Sequence, residues 1–567
     1  MTSRRAFLQR GAGAAAALAL PLPVFGGALD TSAPGALLDI RRPPDRVDVQ
    51  TTTGMQHLTR SGDEWRSGRV AVTLTPTRDG ARMRLSAPED AVLRVHLRWR
   101  GRMDAARLVL GDAWERGYGD LEWRGIVPDR VMPWYFVASD GRRTDGYGVR
   151  TRPKALCFWQ LDPDGVSLWA DVRSGGDGLR LGERVLDVCE VSYRPGRAGE
   201  SSFSALRALC AQLSPAPRLP ARPAYGSNDW YYAYGKNSAA SFAADAARIA
   251  ELSPDTANRP FAVVDDGWQP ERTDDKRGDP KRGVGLWDRG NEKFPDMPAA
   301  AAAVRNAGAR PGLWVRPLLA PADAPQSWRL ARDRAFLDPT VPEAREKIAA
   351  DIRGVASWGY ELIKHDYSTY DIMGRWGSEM GSAMTKSGWT FATGPTQTTA
   401  EVINTLYDTI RSAAGQSLVL GCNTVSHLSA GVFEMCRTGD DTSGTEWART
   451  RKMGVNTLAF RAAQHGTFYA ADPDCVGVTK AIPWSLNRQW LDLVARSGTA
   501  LFVSLSPDAV GAAERRDLRA ALALAARPQT LGEPLDWQTT VWPSHWRLGG
   551  ATATYDWIGE EGVGAPR

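Results

Sequence analysis

The sequence has few of the residues on which most metal sites and all disulfides depend. Six cysteines and six histidines occur among 567 residues. The cysteines lie far apart with no C-x-x-C spacing, and the histidines show neither H-x-H nor H-E-x-x-H spacing. The cysteine and histidine spacings therefore predict no zinc site and no disulfide framework. A hard-cation site built from carboxylates alone remains an alternative, because such cations prefer oxygen ligands.

The sequence also lacks a block of basic residues. The net charge is +5, and the arginines are scattered among acidic residues along the chain. This distribution is typical of a solvated surface, so a nucleic-acid partner is not indicated. Beyond the N-terminal segment there is no long apolar run, and no membrane span is predicted in the mature protein.

Residues 1–30 have the pattern of an export signal. They begin MTSRRAFLQRG, with the pair Arg4-Arg5 followed by Phe7 and Leu8, and continue into a run of alanine and leucine. This pattern is typical of a twin-arginine signal peptide. A short anchor helix is the alternative, but the run is rich in small residues and shorter than the ~20 strongly apolar residues of a membrane span. We predict export by the twin-arginine route to the periplasm or the cell exterior.

Residues 31–218 have the alternation of an antiparallel β-sandwich. Short runs such as RVAVTLTPT and VLRVHLRWR alternate apolar and polar residues and are separated by Gly, Asp and Pro turns. Period-two patterning with frequent turns predicts strands that each have one buried and one exposed face. The proline-rich stretch LSPAPRLPARPAYG predicts a linker at the end of this region.

The pattern changes over residues 219–525. Short apolar runs such as RPFAVVDD, YELIKHD and QSLVLGC are separated by helix-like stretches such as VPEAREKIAADIRGVASWG. Strands and helices that alternate over about 300 residues predict a parallel sheet closed into a (β/α)8 TIM barrel. Residues 526–567 return to strand-type alternation and predict a short C-terminal β segment. The predicted fold class is therefore multidomain α/β.

Charged and polar side chains stand at the ends of several predicted barrel strands. In such a barrel the C-terminal ends of the strands meet at one face, where the chemistry takes place. The residues at these ends are Asp265 and Asp266 on the second strand, Lys364 and Asp366 on the fourth, Cys422 on the fifth, and Arg437, Asp440 and Asp441 shortly afterwards. Carboxylates that converge on one barrel mouth indicate either metal-assisted hydrolysis or glycoside hydrolysis by two carboxylates.

Glycoside hydrolysis needs two carboxylates with different protonation, a nucleophile and a proton donor. The two-residue spacing in IKHD puts Lys364 and Asp366 on the same face of a strand, where the lysine would favour the ionised carboxylate. For the donor, burial or the adjoining acid of the pair Asp440 and Asp441 would raise the pKa. Each motif also has a structural interpretation, as a buried salt bridge, a cap of the following turn or a loop-fixing ion pair.

Taken in order, these motifs resemble a known family. W-Y comes before the first predicted strand, D-D-G lies on the second, G-x-W-x-x-P on the third, K-x-D on the fourth and L-G-C on the fifth. R-x-G-x-D-T follows, and D-P-D-C lies on the seventh. The ordered set, from Tyr225 to Leu505, resembles the melibiase clan of retaining α-galactosidases, and most of all its bacterial members with an N-terminal β-sandwich. The resemblance implies no metal or organic cofactor, and an oligosaccharide or polysaccharide substrate with terminal galactose.

The resemblance also implies a role for each matching residue. Asp366 corresponds to the nucleophile that forms a covalent glycosyl-enzyme, and Asp441, the second aspartate of RTGDDT, to the acid/base, in preference to Asp440. The residues implied to bind the sugar or line its site are Trp230, Tyr231, Asp265, Asp266, Trp287, Lys364, Cys422 and Arg437. Without the resemblance, Cys422 is explained as a small buried hydrophobe.

Two segments depart from the family pattern. LGCN is followed by TVSHLSAG, and the first-strand segment continues as YYAYGKNS. Both lie near the sugar in the family, so the leaving group and the sugar ring are left open. The predicted function is an exported retaining α-galactosidase. The alternatives are the same mechanism on an α-N-acetylgalactosaminide or a β-L-arabinopyranoside, and a non-catalytic carbohydrate-binding protein, against which the presence of both carboxylates argues.

Overall fold

The computed structural model describes residues 37–253, 257–270, 285–385 and 388–559. The predicted signal peptide, residues 1–30, lies outside the described residues. Along the described chain, antiparallel strands come first, a parallel sheet with helices follows, and a small antiparallel sheet comes last.

Two antiparallel sheets occupy residues 37–200, a range that is described without a gap. Their strands are β1 (Arg46–Thr51), β2 (Gly54–His57), β3 (Thr59–Ser61), β4 (Glu64–Ser67), β5 (Val70–Pro76), β6 (Gly80–Ser86), β7 (Val92–Arg100), β8 (Leu108–Gly111), β9 (Met132–Pro133), β10 (Tyr135–Ser139), β11 (Thr144–Val149), β12 (Leu156–Asp162), β13 (Gly165–Asp171) and β14 (Leu186–Arg194). The strand orders are β2-β1-β7-β13-β12-β9 and β3-β4-β5-β6-β14-β11-β10-β8. In β7, Val95, Leu97 and Trp99 are buried while the residues between them are more exposed, because successive side chains point to opposite faces. The predicted antiparallel strands are confirmed.

A parallel sheet follows between Tyr225 and Leu505. Its described strands are β15 (Tyr225–Asn228), β16 (Phe261–Val264), β17 (Arg310–Val315), β18 (Leu362–His365), β19 (Leu418–Gly421), β20 (Met435–Arg437), β21 (Ala470–Asp472), β22 (Cys475–Val478) and β23 (Leu501–Leu505). Their order is β21-β20-β19-β18-β17-β16-β15-β23-β22. The two outer strands, β21 and β22, are separated in the chain only by Pro473 and Asp474, so the sheet is curled. The predicted parallel sheet is confirmed.

Most helices lie in the connections between the parallel strands. They are α1 (Ser202–Leu213), α2 (Trp230–Ala233), α3 (Ala239–Leu252), α4 (Met297–Asn306), α5 (Pro342–Ser357), α6 (Ser368–Met373), α7 (Gly377–Met380), α8 (Thr399–Ala413), α9 (Ser426–Ser429), α10 (Trp447–Thr450), α11 (Thr457–Arg461), α12 (Trp484–Ser497) and α13 (Ala512–Ala525), with short 3-10 turns at Gln326–Trp328 and Ala462–Gln464 and a π turn at Arg451–Asn456. The start of α8 is set by a capping box, in which Thr398 and Glu401 each accept a backbone N–H of the other at 3.0 Å, satisfying donors that the first turn leaves unpaired. None of the described helices is long and apolar enough to cross a membrane.

The last described strands form a small antiparallel sheet. They are β24 (Glu533–Pro534), β25 (His545–Leu548) and β26 (Ala551–Thr554), paired in that order. The sheet is attached to the preceding region by tryptophans: Trp546 is buried, and the indole of Trp447 donates to the carbonyl of Trp557 at 2.9 Å. The strand-type pattern of the C-terminal segment is therefore confirmed, whereas the exact domain boundaries stay predictions.

Candidate active site

The predicted site residues lie where parallel strands end. Because the strands are parallel, their C-terminal ends share one edge of the sheet. Asp265 and Asp266 follow β16, Asp366 follows β18, Cys422 follows β19, Arg437 ends β20, and Asp440 and Asp441 come shortly after β20. The side chains named from separate motifs are thus brought to one edge of one sheet.

Asp366 is held by two hydrogen bonds. The indole Nε1 of Trp314, on β17, donates to its Oδ2 at 3.0 Å, and the backbone N–H of Tyr367 donates to its Oδ1 at 2.7 Å. The carboxylate is partly exposed. These bonds fix its orientation and leave a face open to a ligand, as a nucleophile requires.

Lys364 pairs with Asp265, and not with Asp366 as its spacing suggested. Its Nζ lies 2.7 Å from Oδ2 of Asp265, and both side chains are buried. Burial lowers the pKa of Lys364, but the attraction of Asp265 raises it further, and the net pKa is well above its usual value. The strand spacing did place Lys364 and Asp366 together, but an unpaired charge costs more free energy on the more deeply buried carboxylate, which is that of Asp265.

We expect Lys364→Met to destabilise the fold. The substitution keeps the side-chain volume but leaves the buried carboxylate of Asp265 without its cation, which costs about 3–5 kcal/mol. A urea unfolding curve of the variant measures this loss. Lys480→Met is the control, because Lys480 and its partner Asp508 are both exposed, and it should leave the midpoint unchanged. Equal midpoints for the two variants would contradict the assignment.

Asp229 is a site residue that the sequence analysis did not identify. It lies directly before Trp230, and its Oδ1 accepts the backbone N–H of Asp265 at 2.8 Å. The Nδ2 of Asn237 donates to its other oxygen at 3.1 Å. Burial, and then the charge of Asp265, raise the pKa of Asp229 to about 8. Asp229 is therefore a carboxylic acid near neutral pH, and it holds the backbone from which Asp265 projects.

Asp229 should make the stability of the protein depend on pH. Its folded pKa of about 8 lies above its unfolded pKa, which is about 3.9. A raised folded pKa stabilises the fold fully below the unfolded pKa, and this stability is lost as pH rises to about 8, at about 1.4 kcal/mol per pH unit. The Tm of Asp229→Asn should therefore fall less between pH 5 and pH 8 than that of the parent. Asp408→Asn, at the surface, should retain the parent slope, and a parent slope in Asp229→Asn would refute the prediction.

The adjacent acids Asp440 and Asp441 have different surroundings. Asp440 lies between two guanidinium groups, with Arg116 at 2.6 Å and Arg449 at 2.9 Å. Asp441 makes longer contacts, 3.4 Å to Arg437 and 3.9 Å to Arg116, and its side chain is 37% exposed. Asp440 is thus neutralised by its partners, while Asp441 is accessible.

The expected rise in the pKa of Asp441 is wrong. Partial burial raises this pKa, but the attraction of Arg437 and then of Arg116 lowers it to about 2. The prediction counted the neighbouring Asp440 as a repelling charge. In the structure Asp440 is paired with arginines, and cations surround Asp441 instead.

Arg437 joins several parts of the site. Its Nη2 lies 2.8 Å from Asp474, and its Nη1 lies 3.5 Å from the Sγ of Cys422. Asp474 in turn accepts the backbone N–H of Thr442 at 2.8 Å and the hydroxyl of Tyr231. Thr442 directly follows Asp441, so Asp474 fixes both the arginine beside the acid and the backbone that carries it.

Cys422 lies beside the strand end that precedes Asp366, because its N–H donates to the carbonyl of His365 at 2.8 Å. It is buried, and burial followed by the charge of Asp366 raises the pKa of its thiol. On its other side Cys422 contacts Arg437, which is the nearest cation to Asp441. The surroundings of Asp366 and of Asp441 are therefore continuous through Cys422 and Arg437.

Aromatic side chains surround this edge of the sheet. Trp230 is partly buried and meets Tyr234 edge to face at 5.6 Å. Trp287 is 2% exposed and packs between Trp268 at 5.8 Å and Trp314 at 6.0 Å. The Nε1 of Trp287 is buried and has no hydrogen-bond partner among the described residues.

Some of the surrounding residues could have been noticed in the sequence. Trp314 stands in G-x-W-x-x-P and Asp474 in D-P-D-C, so both lie in quoted motifs to which no role had been given. Asp229 directly precedes W-Y. Arg116 belongs to the N-terminal antiparallel region, and no sequence signal connects it with the site. Within the described ranges, no group of three or more His, Cys, Asp or Glu side chains is arranged to hold a metal ion.

The chain has antiparallel sheets before a curled parallel sheet whose C-terminal edge carries the carboxylates. It resembles the alpha-galactosidase of Thermus thermophilus solved with p-nitrophenyl alpha-D-galactopyranoside, with 18% identity, a TM-score of 0.57, and coverage of 90% of this chain and 99% of that one. A variant of the GH36 alpha-galactosidase of Geobacillus stearothermophilus, solved with 1-deoxygalactonojirimycin, matches at 14% identity and a TM-score of 0.55, over 85% and 75% of the two chains. The alpha-galactosidase of Lactobacillus brevis matches at 14% identity and 0.55, over 86% and 73%.

No family model and no curated protein matches the sequence. At identities of 14% to 18%, the likeness to solved structures establishes the fold, which is the fold of GH36 alpha-galactosidases. The resemblance inferred from the motifs is confirmed at this level.

Proposed function

We propose that the protein is a retaining glycoside hydrolase that removes terminal α-D-galactosyl residues from oligosaccharides or polysaccharides. The observation that carries the proposal is that Asp366 and Asp441 follow strands at one edge of the parallel sheet. There Cys422 donates its N–H to the carbonyl of His365, directly before Asp366, and its thiol contacts Arg437, which contacts Asp441. Most glycosidases act with two accessible carboxylates at one sugar site. The fold supports the choice of sugar, because related structures were solved with galactosides such as stachyose.

In the first step Asp366 attacks the anomeric carbon while Asp441 gives its proton to the glycosidic oxygen. The bond to the leaving sugar breaks, and a covalent galactosyl ester of Asp366 forms. In the second step Asp441, now ionised, takes a proton from water as the water attacks the same carbon, and Asp366 is released. Two displacements at one carbon retain the configuration, and the side chains return to their starting protonation.

The pKa of about 2 for Asp441 suits the second step, in which it acts as a base. The first step needs the protonated acid. Substrate that excludes water and loosens the 3.4 Å contact with Arg437 would weaken the main attraction that keeps Asp441 ionised. The proposal therefore requires the acid/base to change its contacts during the reaction.

The other predicted residues would hold the galactosyl ring. Asp265 and Asp266 are assigned to its hydroxyls at positions four and six, and Lys364, already bound to Asp265, presents further donors. Trp287, which packs against Trp314 at 6.0 Å between ring centroids, is assigned to the aromatic surface over the sugar. Trp230, Tyr231, Cys422 and Arg437 are assigned to the remaining wall.

Three further assignments belong to this proposal. The parallel sheet is a closed (β/α)8 barrel, in which the outer strands β21 and β22, separated by two residues, count as one interrupted strand among eight. The two N-terminal sheets form a β-sandwich, since each has buried alternate positions. Residues 1–30 are a twin-arginine signal that directs the protein to the periplasm or beyond, on the pattern of their sequence alone.

A panel of p-nitrophenyl glycosides tests the function. We expect the α-galactoside to be hydrolysed with a higher kcat/KM than the α-N-acetylgalactosaminide or the β-L-arabinopyranoside, and raffinose and stachyose to release galactose. NMR of the first product should show α-galactose, since the configuration is retained. A tenfold preference for another glycoside would contradict the assignment of galactose as the substrate sugar. β-Galactose as the first product would indicate an inverting mechanism. Galactose binding without turnover of any substrate would favour the non-catalytic alternative.

A further inference from the structure

A segment of the N-terminal region reaches the acid/base loop. It comprises Glu115, Arg116 and Gly117, between β8 and β9, and we call it the bridging segment. Gly117 forms an isolated parallel bridge with Gly439. Its N–H donates to the carbonyl of Thr438 at 2.8 Å, and its carbonyl accepts the N–H of Asp440 at 2.9 Å. The bridging segment therefore pairs, strand-like, with the loop that carries both candidate proton donors.

The same segment also holds two other loops of the site. The buried carboxylate of Glu115 accepts the backbone N–H of Gly377 at 3.1 Å and the Nδ2 of Asn423 at 2.6 Å. Gly377 lies in the connection that follows Asp366, and Asn423 directly follows Cys422. Glu115 thus connects the loops after β18 and β19, while Gly117 connects the loop after β20.

Arg116 points from this segment into the site itself. Its guanidinium is buried and lies 2.6 Å from Asp440 and 3.9 Å from Asp441. Its Nη1 also lies 3.6 Å from the Sγ of Cys422. Since Arg449 binds the other oxygen of Asp440, the two arginines occupy that carboxylate from both sides. The neighbouring Asp441 is left as the accessible acid.

We propose that Arg116 is a positioning residue of the active site, which binds Asp440 and thereby presents Asp441 to the glycosidic oxygen. This inference rests on the proposed glycosidase function. It makes the N-terminal region a part of the catalytic centre, and not a separate sugar-binding module. A buried guanidinium with only a structural role would stabilise the fold, and its loss would slow every substrate alike. A residue that positions Asp441 affects proton transfer. The loss of activity on its substitution should therefore be larger for a leaving group that needs protonation.

The test compares Arg116→Met with Arg130→Met. Arg130 also belongs to the N-terminal region, and its guanidinium donates to the carbonyls of Val109 and Glu122. We expect Arg116→Met to lower kcat/KM roughly 100-fold for an α-galactoside with a poor leaving group, such as methyl, because general acid catalysis contributes about 10² to 10⁴-fold. The 2,4-dinitrophenyl galactoside, which departs without a proton, should lose less than about threefold. Each variant is measured at its own pH optimum, so that an altered pKa of Asp441 is not counted as misplacement.

Equal losses for the two leaving groups, or a loss of the same pattern in Arg130→Met, would overturn the inference. An inactive parent protein would instead refute the proposed function, so the two failures are distinguishable. Hydrogen exchange tests the positioning without activity: amides of residues 438–442 should exchange at least tenfold faster in Arg116→Met than in the parent or Arg130→Met, and unchanged exchange would also overturn it. If Arg116→Met does not fold, Arg116→Lys takes its place, because lysine keeps the charge but not the paired donors. This variant should lose less activity than Arg116→Met, and more on the poor leaving group than on the good one. Equal losses on the two leaving groups would count against the inference.

Discussion

Asp366→Ala is expected to abolish turnover of an aryl α-galactoside, with a loss of about 10⁴-fold or more in kcat. The variant removes the proposed nucleophile, whose carboxylate accepts hydrogen bonds from Trp314 and Tyr367. A stopped assay with p-nitrophenyl α-galactoside at saturating concentration measures the loss. Because Asp366 is partly exposed, the fold should tolerate the change.

Azide provides a sharper form of this test. It fits the space left by the carboxylate, attacks from the face where Asp366 stood, and should give β-galactosyl azide in Asp366→Ala. Asp288→Ala is the matched control, since Asp288 is an exposed aspartate in the same region of the chain, and it should keep the parent rate. An Asp366→Ala protein that keeps most of its activity would remove the nucleophile from the proposal.

The order of the elements could be predicted because it rests on local signals. Alternation of apolar and polar residues is visible in β7, and the change to helices with capping boxes is visible at Thr398 and Glu401. The ends of parallel strands then place Asp265, Asp366 and Cys422 at one edge without any knowledge of contacts. Fold class and the charged residues of the candidate site follow from these patterns, whereas the aromatic members Trp230, Tyr231 and Trp287 and the role of each residue came from the family resemblance.

The partners of the charged groups could not be predicted in the same way. Strand spacing puts Lys364 beside Asp366, but the pairing with Asp265 depends on which carboxylate is more deeply buried. Arg116 and its contact Cys422 are separated by 306 residues in the chain, and Asp440 lies further along still. Such contacts arise from tertiary packing, and a single sequence carries no periodic signal for them.

The same limitation explains the wrong sign for the pKa of Asp441. An adjacent carboxylate raises a pKa only while it is itself an unpaired charge. Asp440 is bound by Arg116 and Arg449, and Arg437 contacts Asp441 directly. The electrostatics of the proposed acid/base are therefore set by arginines from three separate elements, and not by its neighbour in the sequence.

Asp441→Asn is expected to produce the second large loss, and its size should depend on the leaving group. For a methyl α-galactoside kcat/KM should fall about 10³-fold, because no acid protonates the departing oxygen. The asparagine also removes the carboxyl group whose protonation sets the pH dependence of kcat/KM. In the parent, the pKa of about 2 means that the fraction of protonated Asp441 grows as pH falls, so kcat/KM for this substrate should rise from pH 7 to pH 5. In Asp441→Asn that rise should disappear.

Asp440→Asn separates the two adjacent acids. Asp440 is assigned to Arg116 and Arg449, so its substitution should loosen the loop but keep the pH dependence that belongs to Asp441. Azide should accelerate the release of the covalent intermediate in Asp441→Asn and yield α-galactosyl azide, because it attacks from the face that the proton donor occupied. The same product from Asp440→Asn, with an unaffected Asp441→Asn, would exchange the two assignments. The acid/base would then be the carboxylate that two arginines enclose, and the accessibility of Asp441 would no longer identify the proton donor.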